Sequence, residues 1–300
     1  MTSLVNGAPR RLGSLPPVGP LSFGQWRFTG DDPAANQGLV ETALAAGMNL
    51  VDTADVYGLD WGGTGFGSVE ERLGQVLARA PQLRDRMVLA TKGGIRPPIP
   101  YDSSPRAITA ACDDSLRRLG VEVIDLYQIH RPDLYTHPAA LAEALDALRD
   151  AGKIREIGVS NYTPAQTTAL QAHLDAPLVS TQPEISAVTL TPMRDGTLDL
   201  CMERGMTPMA WSPLGGGKLS TGDGLRPELI AVTELLAERE SVDLSHIALA
   251  FVLAHPSAPI AITGTQNAGR LADSVRAVDV HLDRGDVYEI ITASQGFALP

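Results

Sequence analysis

Cysteine is scarce in this chain. Only Cys112 and Cys201 occur among 300 residues, in no metal-like spacing, which points to a reduced, cytoplasmic protein with no metal centre. Positive charge is short as well: 24 Lys and Arg stand against 35 Asp and Glu, for a net charge of −11. A nucleic-acid partner needs a basic face, so that class is excluded, and docking on an anionic membrane is disfavoured. An anionic ligand is compatible only if positive groups gather locally in one pocket. Long apolar runs are missing too. The longest, IALAFVLA at 247–254, falls far below the ~20 residues that span a bilayer. Arg10-Arg11 is followed by LGSLPPVG rather than an apolar stretch, which argues against a twin-arginine export signal.

Several common catalytic signatures are absent. GGTGFGS at 62–68 misses the spacing of the dinucleotide fingerprint G-x-G-x-x-G. GGGKLS places Leu219 where a P-loop needs Ser or Thr to bind magnesium. Neither a Tyr-x-x-x-Lys pair of the short-chain dehydrogenase type nor H-E-x-x-H occurs.

What is present is an alternation. Apolar residues make up 44% of the chain, enough for a sizeable core. Short apolar runs recur at 20–24, 48–53, 87–92, 124–130, 156–161, 178–184, 207–213 and 259–265. Each reads as a buried strand rather than an amphipathic one, as expected for a parallel sheet covered on both faces. Between them lie helical segments whose starts carry a cap or turn residue and then proline: Asp32-Pro33, Ser104-Pro105, His137-Pro138, Thr163-Pro164, and Pro227 itself. Gly47, Gly120, Gly152 and Gly205 follow helices where a left-handed cap is cheap. Eight strand–helix units over roughly 250 residues predict an α/β fold, a (β/α)8 TIM barrel. An open doubly wound sheet is the alternative with the same local pattern. No linker or charge run divides the chain, so residues 1–300 are expected to form a single barrel domain. The LPPVGP segment should close its bottom, and a last helix near 284–296 should pack outside.

Active sites of such barrels lie where strands end, and here those ends are polar. The strands deliver Asp52, Lys92, His130, Ser160-Asn161, Gln182, Trp211-Ser212 and Thr263 to Gln266, with Arg270 close behind. In NLVDTADVYG (49–58), Val51 is expected to fill the barrel, Asp52 to stand at its rim, and Gly58 to release the loop that presents Tyr57. Taken singly, Lys92 reads as a solvated strand end and His130 as a core imidazole. Together the four groups suit carbonyl reduction. A Lys paired with Asp52 stays charged, and a charged Lys near Tyr57 is expected to lower the phenol from its reference of ~10. The phenol then donates the proton while an imidazole steadies the developing oxyanion.

The motifs DTADVYG, ATKGG, LYQIHRPD, GKIREIGVSNYT, the Gln182 segment and AWSPLGGG, in this order, resemble the aldo-keto reductase superfamily from about Leu12 to near the C-terminus. The resemblance implies reversible, NAD(P)H-dependent reduction of an aldehyde or ketone. The alternative is a cofactor-binding, redox-sensing or regulatory subunit with little turnover. It also implies a catalytic tetrad of Asp52, Tyr57, Lys92 and His130. The implied cofactor residues are Gly24, Trp26, Asp52, Ser160, Asn161 and Gln182, then Trp211 as the stacking ring, with Ser212, Pro213, Leu214, Gly215, Gly216 and Lys218 along the pyrophosphate. At the adenosine end they are Gly264, Thr265, Gln266, Arg270 and Ser274. Many members carry Lys or Arg where Gly264 and Thr265 stand, so NADPH is expected with weaker discrimination against NADH. Trp26, Tyr57, Trp61 and His130 are expected to border the substrate pocket, although Trp61 could equally pack its loop on the barrel. A small carbonyl compound is the expected partner, and nothing in the sequence calls for more than a monomer.

Overall fold

The computed structural model describes residues 2–299. Eight parallel strands close into a barrel in sequence order. The strands and helices alternate as β1 (Leu21–Gly24), α1 (Pro33–Ala45), β2 (Leu50–Asp52), α2 (Ser68–Arg79), β3 (Val88–Gly93) and α3 (Pro105–Leu119). Then come β4 (Ile124–Ile129), α4 (Pro138–Asp150), β5 (Ile154–Ser160), α5 (Pro164–Gln171), β6 (Leu178–Gln182), α6 (Thr197–Arg204) and β7 (Thr207–Ala210). The chain finishes with α7 (Lys218–Thr221), α8 (Pro227–Glu240), α9 (Leu244–Leu253), β8 (Ile260–Thr263), α10 (Ala268–Asp273) and α11 (Arg284–Gln295).

All five proline-marked starts are helix starts, and Asp32, Ser104, His137 and Thr163 each accept a backbone N–H at the cap. Helix α9 escaped the sequence pattern. Every residue from His246 to Leu253 is buried, so the helix shows no solvent face and hence no 3.6-residue alternation to read.

Strand residues alternate between two cores, because successive side chains leave opposite faces of a strand. Leu50, Val88, Ala90, Leu126, Met209, Ile260 and Ile262 fill the barrel interior together with Leu12, Leu15 and Val18 of the N-terminal segment. That segment folds back on itself through an antiparallel Arg10–Val18 pair and plugs the bottom. Arg10 is buried, its Nε donating to the Pro259 carbonyl, and burial lowers its pKa to about 10. Val51, Leu89, Tyr127 and Val159 face the helices instead. The expectation that Val51 fills the barrel is therefore corrected. If Asp52 points inward at the mouth, Leu50 must point inward below it and Val51 outward.

Candidate active site

The same alternation carries polar groups up the barrel interior. Above Ala90 stands Lys92, and above Leu126 stand Gln128 and then His130 just past the strand. Lys92 has no exposed surface and uses all three ammonium donors: 2.7 Å to Asp52 Oδ2, 2.9 Å to the Thr53 carbonyl and 3.2 Å to the Tyr57 hydroxyl oxygen. The other oxygen of Asp52 accepts from the Gln128 amide at 3.2 Å and the Gln182 amide at 3.1 Å. A buried ion pair is tolerable only when its remaining valences are filled in this way.

The Tyr57 loop is held by pairing that continues past β2. Thr53 N–H donates to the Ala90 carbonyl and Asp55 N–H to the Lys92 carbonyl. Gly58 then turns at φ +95°, where a Cβ would lie 2.0 Å from Ser68 Oγ, so only glycine fits. The His130 ring meets the Tyr57 ring edge-on at 5.7 Å between centroids. Since Lys92 donates to the phenol oxygen, the phenol's own proton must point elsewhere.

Burial pulls Lys92 down, but the Asp52 charge, the Tyr57 oxygen and the bonds to both outweigh it, and its net pKa rises above the ordinary lysine value. The sequence expectation for Tyr57 is corrected in sign. Burial raises the phenol, Lys92 opposes it by charge and hydrogen bond, Asp52 and Asp60 side with burial, and the balance lies above the ordinary tyrosine value. His130 is held well below the ordinary histidine value by burial and then by the charges of Lys92 and Arg131. The site thus presents a protonated phenol, an ammonium and a neutral imidazole.

A second constellation adjoins His130. Asn161, at φ +59°, donates to Ser160 Oγ at 2.8 Å and to the His130 carbonyl at 3.2 Å, and accepts from Trp211 Nε1 at 3.1 Å. Ser160 Oγ donates to the Gln182 carbonyl at 2.8 Å. Trp211 extends β7 by pairing with the segment after β6. Ser212 follows at φ +49°, then buried Pro213, Leu214 and the left-handed Gly215 and Gly216. Asn161 and Ser212 are two of only four non-glycine residues with positive φ among the described residues, a backbone cost that clusters at functional loops.

A sequence profile of the Aldo/keto reductase family matches residues 20–294. The chain belongs to the aldo/keto reductase family. Among curated proteins, a 6-dehydroglucose reductase of Novosphingobium aromaticivorans is 46% identical over 286 residues, covering 94% of each chain. A 6-dehydroglucose reductase of Agrobacterium fabrum is 35% identical over 287 residues, covering 91% of this chain and 93% of the relative. Oxidoreductase YdhF of Escherichia coli is 34% identical over 303 residues, covering 96% and 98%. A crystal structure of a thermostable aldo-keto reductase with the inhibitor epalrestat superposes with TM-score 0.81 at 24% identity, covering 95% of this chain and 99% of that one. The chain is thus an oxidoreductase of carbonyl chemistry. No helix among the described residues is long and apolar enough to cross a membrane.

Aldo-keto reductases typically bind a nicotinamide cofactor, and the donor set here fits one. Gly216 has open space where a Cβ would stand, so backbone N–H groups there are approachable. Lys218 and Arg270 are exposed and make no ion pair among the described residues. Thr265 Oγ1 accepts from Asn267 N–H, and Gln266 bonds back to the Gly264 carbonyl. The Ser274 hydroxyl donates to the Leu271 carbonyl at 2.7 Å. Gly24 ends β1 where a Cβ would fall 2.5 Å from Ile262. Trp26 and Trp61 meet at the mouth, 5.1 Å between ring centroids.

Two buried groups were not singled out by the sequence. Gln128 was visible in principle, lying two residues before His130 on the same strand face. Asp55 was not. It has no exposed surface, no side chain among the described residues bonds its carboxylate, and only the adjacent Val56 N–H offers it a weak bond. Burial, then the charge of Glu70, raise its pKa well above the usual carboxylate range against Arg118 and Arg96.

Proposed function

We propose that the chain is an NADPH-preferring reductase of a sugar aldehyde of the 6-dehydroglucose type, which it converts to the primary alcohol. One observation carries the mechanism: Lys92 donates to the oxygen of Tyr57 and so leaves the phenol's proton free for a substrate carbonyl. The cofactor supplies the hydride. Residues 160, 161, 182 and 211 would hold its nicotinamide end, residues 212 to 218 its pyrophosphate, and Arg270 with Thr265 and Gln266 its adenosine phosphate. The unpaired cations Lys218 and Arg270 favour NADPH, while the neutral Gly264 and Thr265 leave room for NADH.

Tyr57 is the general acid, handing its proton to the carbonyl oxygen as negative charge gathers there. An alkoxide is a much stronger base than a phenolate, so the raised pKa of Tyr57 does not stop the transfer and keeps the acid loaded. Lys92 stabilises the phenolate left behind, Asp52 keeps Lys92 charged, and neutral His130 orients the carbonyl with a hydrogen bond.

The substrate class rests on the printed activities of the relatives at 46% and 35% identity. The test is initial rates of NADPH and NADH oxidation with 6-dehydroglucose and with simple aldehydes. Turnover of the sugar aldehyde with a lower KM for NADPH is expected. Tight cofactor binding with no aldehyde-dependent oxidation would instead support a cofactor-sensing subunit.

A further inference from the structure

We propose that Trp26, Arg27, Asp60 and Trp61 form the platform that recognises the polyhydroxylated part of the sugar aldehyde, and so set specificity. This rests on the sugar-aldehyde reading above. The platform starts from a turn fixed at both ends. Gln25 N–H donates to the Asp52 carbonyl, Phe28 N–H donates to the Gln25 carbonyl, and buried Phe28 packs edge-on against Phe23 at 6.0 Å. The turn projects Trp26 and Arg27 from the mouth beside the end of β2. Opposite, Gly65 N–H bonds the Gly58 carbonyl and closes the loop that carries Asp60 and Trp61 directly after Tyr57.

The four side chains form one assembly. The indoles are inclined at 42°, and the Arg27 guanidinium lies 4.9 Å from the Trp61 ring centroid and 5.5 Å from that of Trp26. Trp26 Nε1 donates to Asp60 Oδ1 at 3.5 Å. The Asp60 charge is felt at the Tyr57 hydroxyl, which places the carboxylate near the reacting end of a substrate.

Loop packing alone does not account for this group. Trp26 remains 37% exposed and Trp61 46%, so the contact leaves much indole surface in water, against the hydrophobic preference. An apolar aldehyde would cover the rings but offer no hydrogen bond to the charges of Asp60 and Arg27 beside it. A sugar uses all four. The C–H groups of a pyranose face carry slight positive charge and suit the negative ring face. The free oxygen of Asp60 accepts from a hydroxyl. Arg27 is half-buried over the two rings, its Nε has no partner among the described residues, and its guanidinium brings N–H donors for hydroxyls.

The experiment uses purified full-length protein with NADPH, comparing 6-dehydroglucose with propanal in Trp61→Ala, Trp61→Phe and Asp60→Asn. For Trp61→Ala the ratio of kcat/KM for the sugar over propanal is expected to fall about tenfold, through KM rather than kcat. Trp61→Phe should restore most of it, and Asp60→Asn should lower it several-fold. An unchanged ratio in Trp61→Ala and Asp60→Asn overturns the platform, as does an equal loss for both substrates. If the unaltered protein reduces propanal but not 6-dehydroglucose, the substrate reading fails and the platform with it. If it reduces neither, the catalytic reading itself fails.

Discussion

Replacing Lys92 with methionine tests the electrostatic design at its centre. Methionine preserves much of the aliphatic stem but removes three hydrogen bonds, to Asp52, the Thr53 carbonyl and Tyr57. Asp52 Oδ1 keeps the Gln128 and Gln182 amides, while Oδ2 loses its ammonium in a site where Asp52 is only 2% exposed. Breaking one side of a buried pair costs about 3–5 kcal/mol of stability. The phenolate formed on proton donation loses a charge-assisted bond of about 1.5–3 kcal/mol, or roughly 10- to 150-fold in kcat. Urea unfolding measures the first effect, and aldehyde-dependent NADPH oxidation, with cofactor affinity followed separately, measures the second. The double variant Lys92→Met/Asp52→Asn should be more stable than Lys92→Met alone, because it leaves no unpaired buried charge. A Lys92→Met protein within about 1 kcal/mol of the original and within about threefold in kcat would refute the reasoning.

Three further outcomes follow from the same balance of charges. Arg118 donates to Glu70 Oε2 at 2.7 Å while Thr91 donates to Oε1 at 2.6 Å, tying α2 to α3 and β3 in a buried cluster. Arg118→Met should destabilise by about 3–5 kcal/mol in chemical denaturation with little change in KM, and a loss below about 1 kcal/mol would show the cluster to be well solvated. Reduction needs Tyr57 protonated and His130 neutral. The first is raised and the second well lowered, so kcat/KM should stay level from about pH 6 to 9. An inflexion near 6.5 would mean that His130 titrates as an ordinary imidazole. Asp55 holds its proton in the folded state above the ordinary value. Its contribution to stability is present below about pH 4 and lost as pH rises through the folded pKa. The melting-temperature gain of Asp55→Asn should therefore grow from acid toward neutral pH, and a constant difference would show that Asp55 is not perturbed.

Much of this is legible in the amino-acid sequence. Parallel strands buried on both faces read as unbroken apolar runs, and helices opening on proline mark themselves, so the barrel and its rim followed from pattern. The facing of Val51 was also decidable, since a strand cannot send adjacent side chains the same way. Other features depended on quantities no local pattern contains. The pKa of Tyr57 is a contest between desolvation and Lys92, and only the depth of the site shows that desolvation wins. Helix α9 lacks amphipathic spacing because the fold surrounds it. Whether Trp61 packs its loop or borders the mouth turns on where residues 58–65 carry it, and it proves to stack against Trp26, 35 positions away in the chain.

The central claim is that Tyr57 gives the carbonyl oxygen its proton. Tyr57→Phe removes that hydroxyl and little else. NADPH affinity, followed by fluorescence titration, should be nearly unchanged, while the kcat of aldehyde reduction should fall to background. A variant that retained activity within about tenfold, a barrier change under ~1.4 kcal/mol, would contradict the claim and assign proton donation to another group.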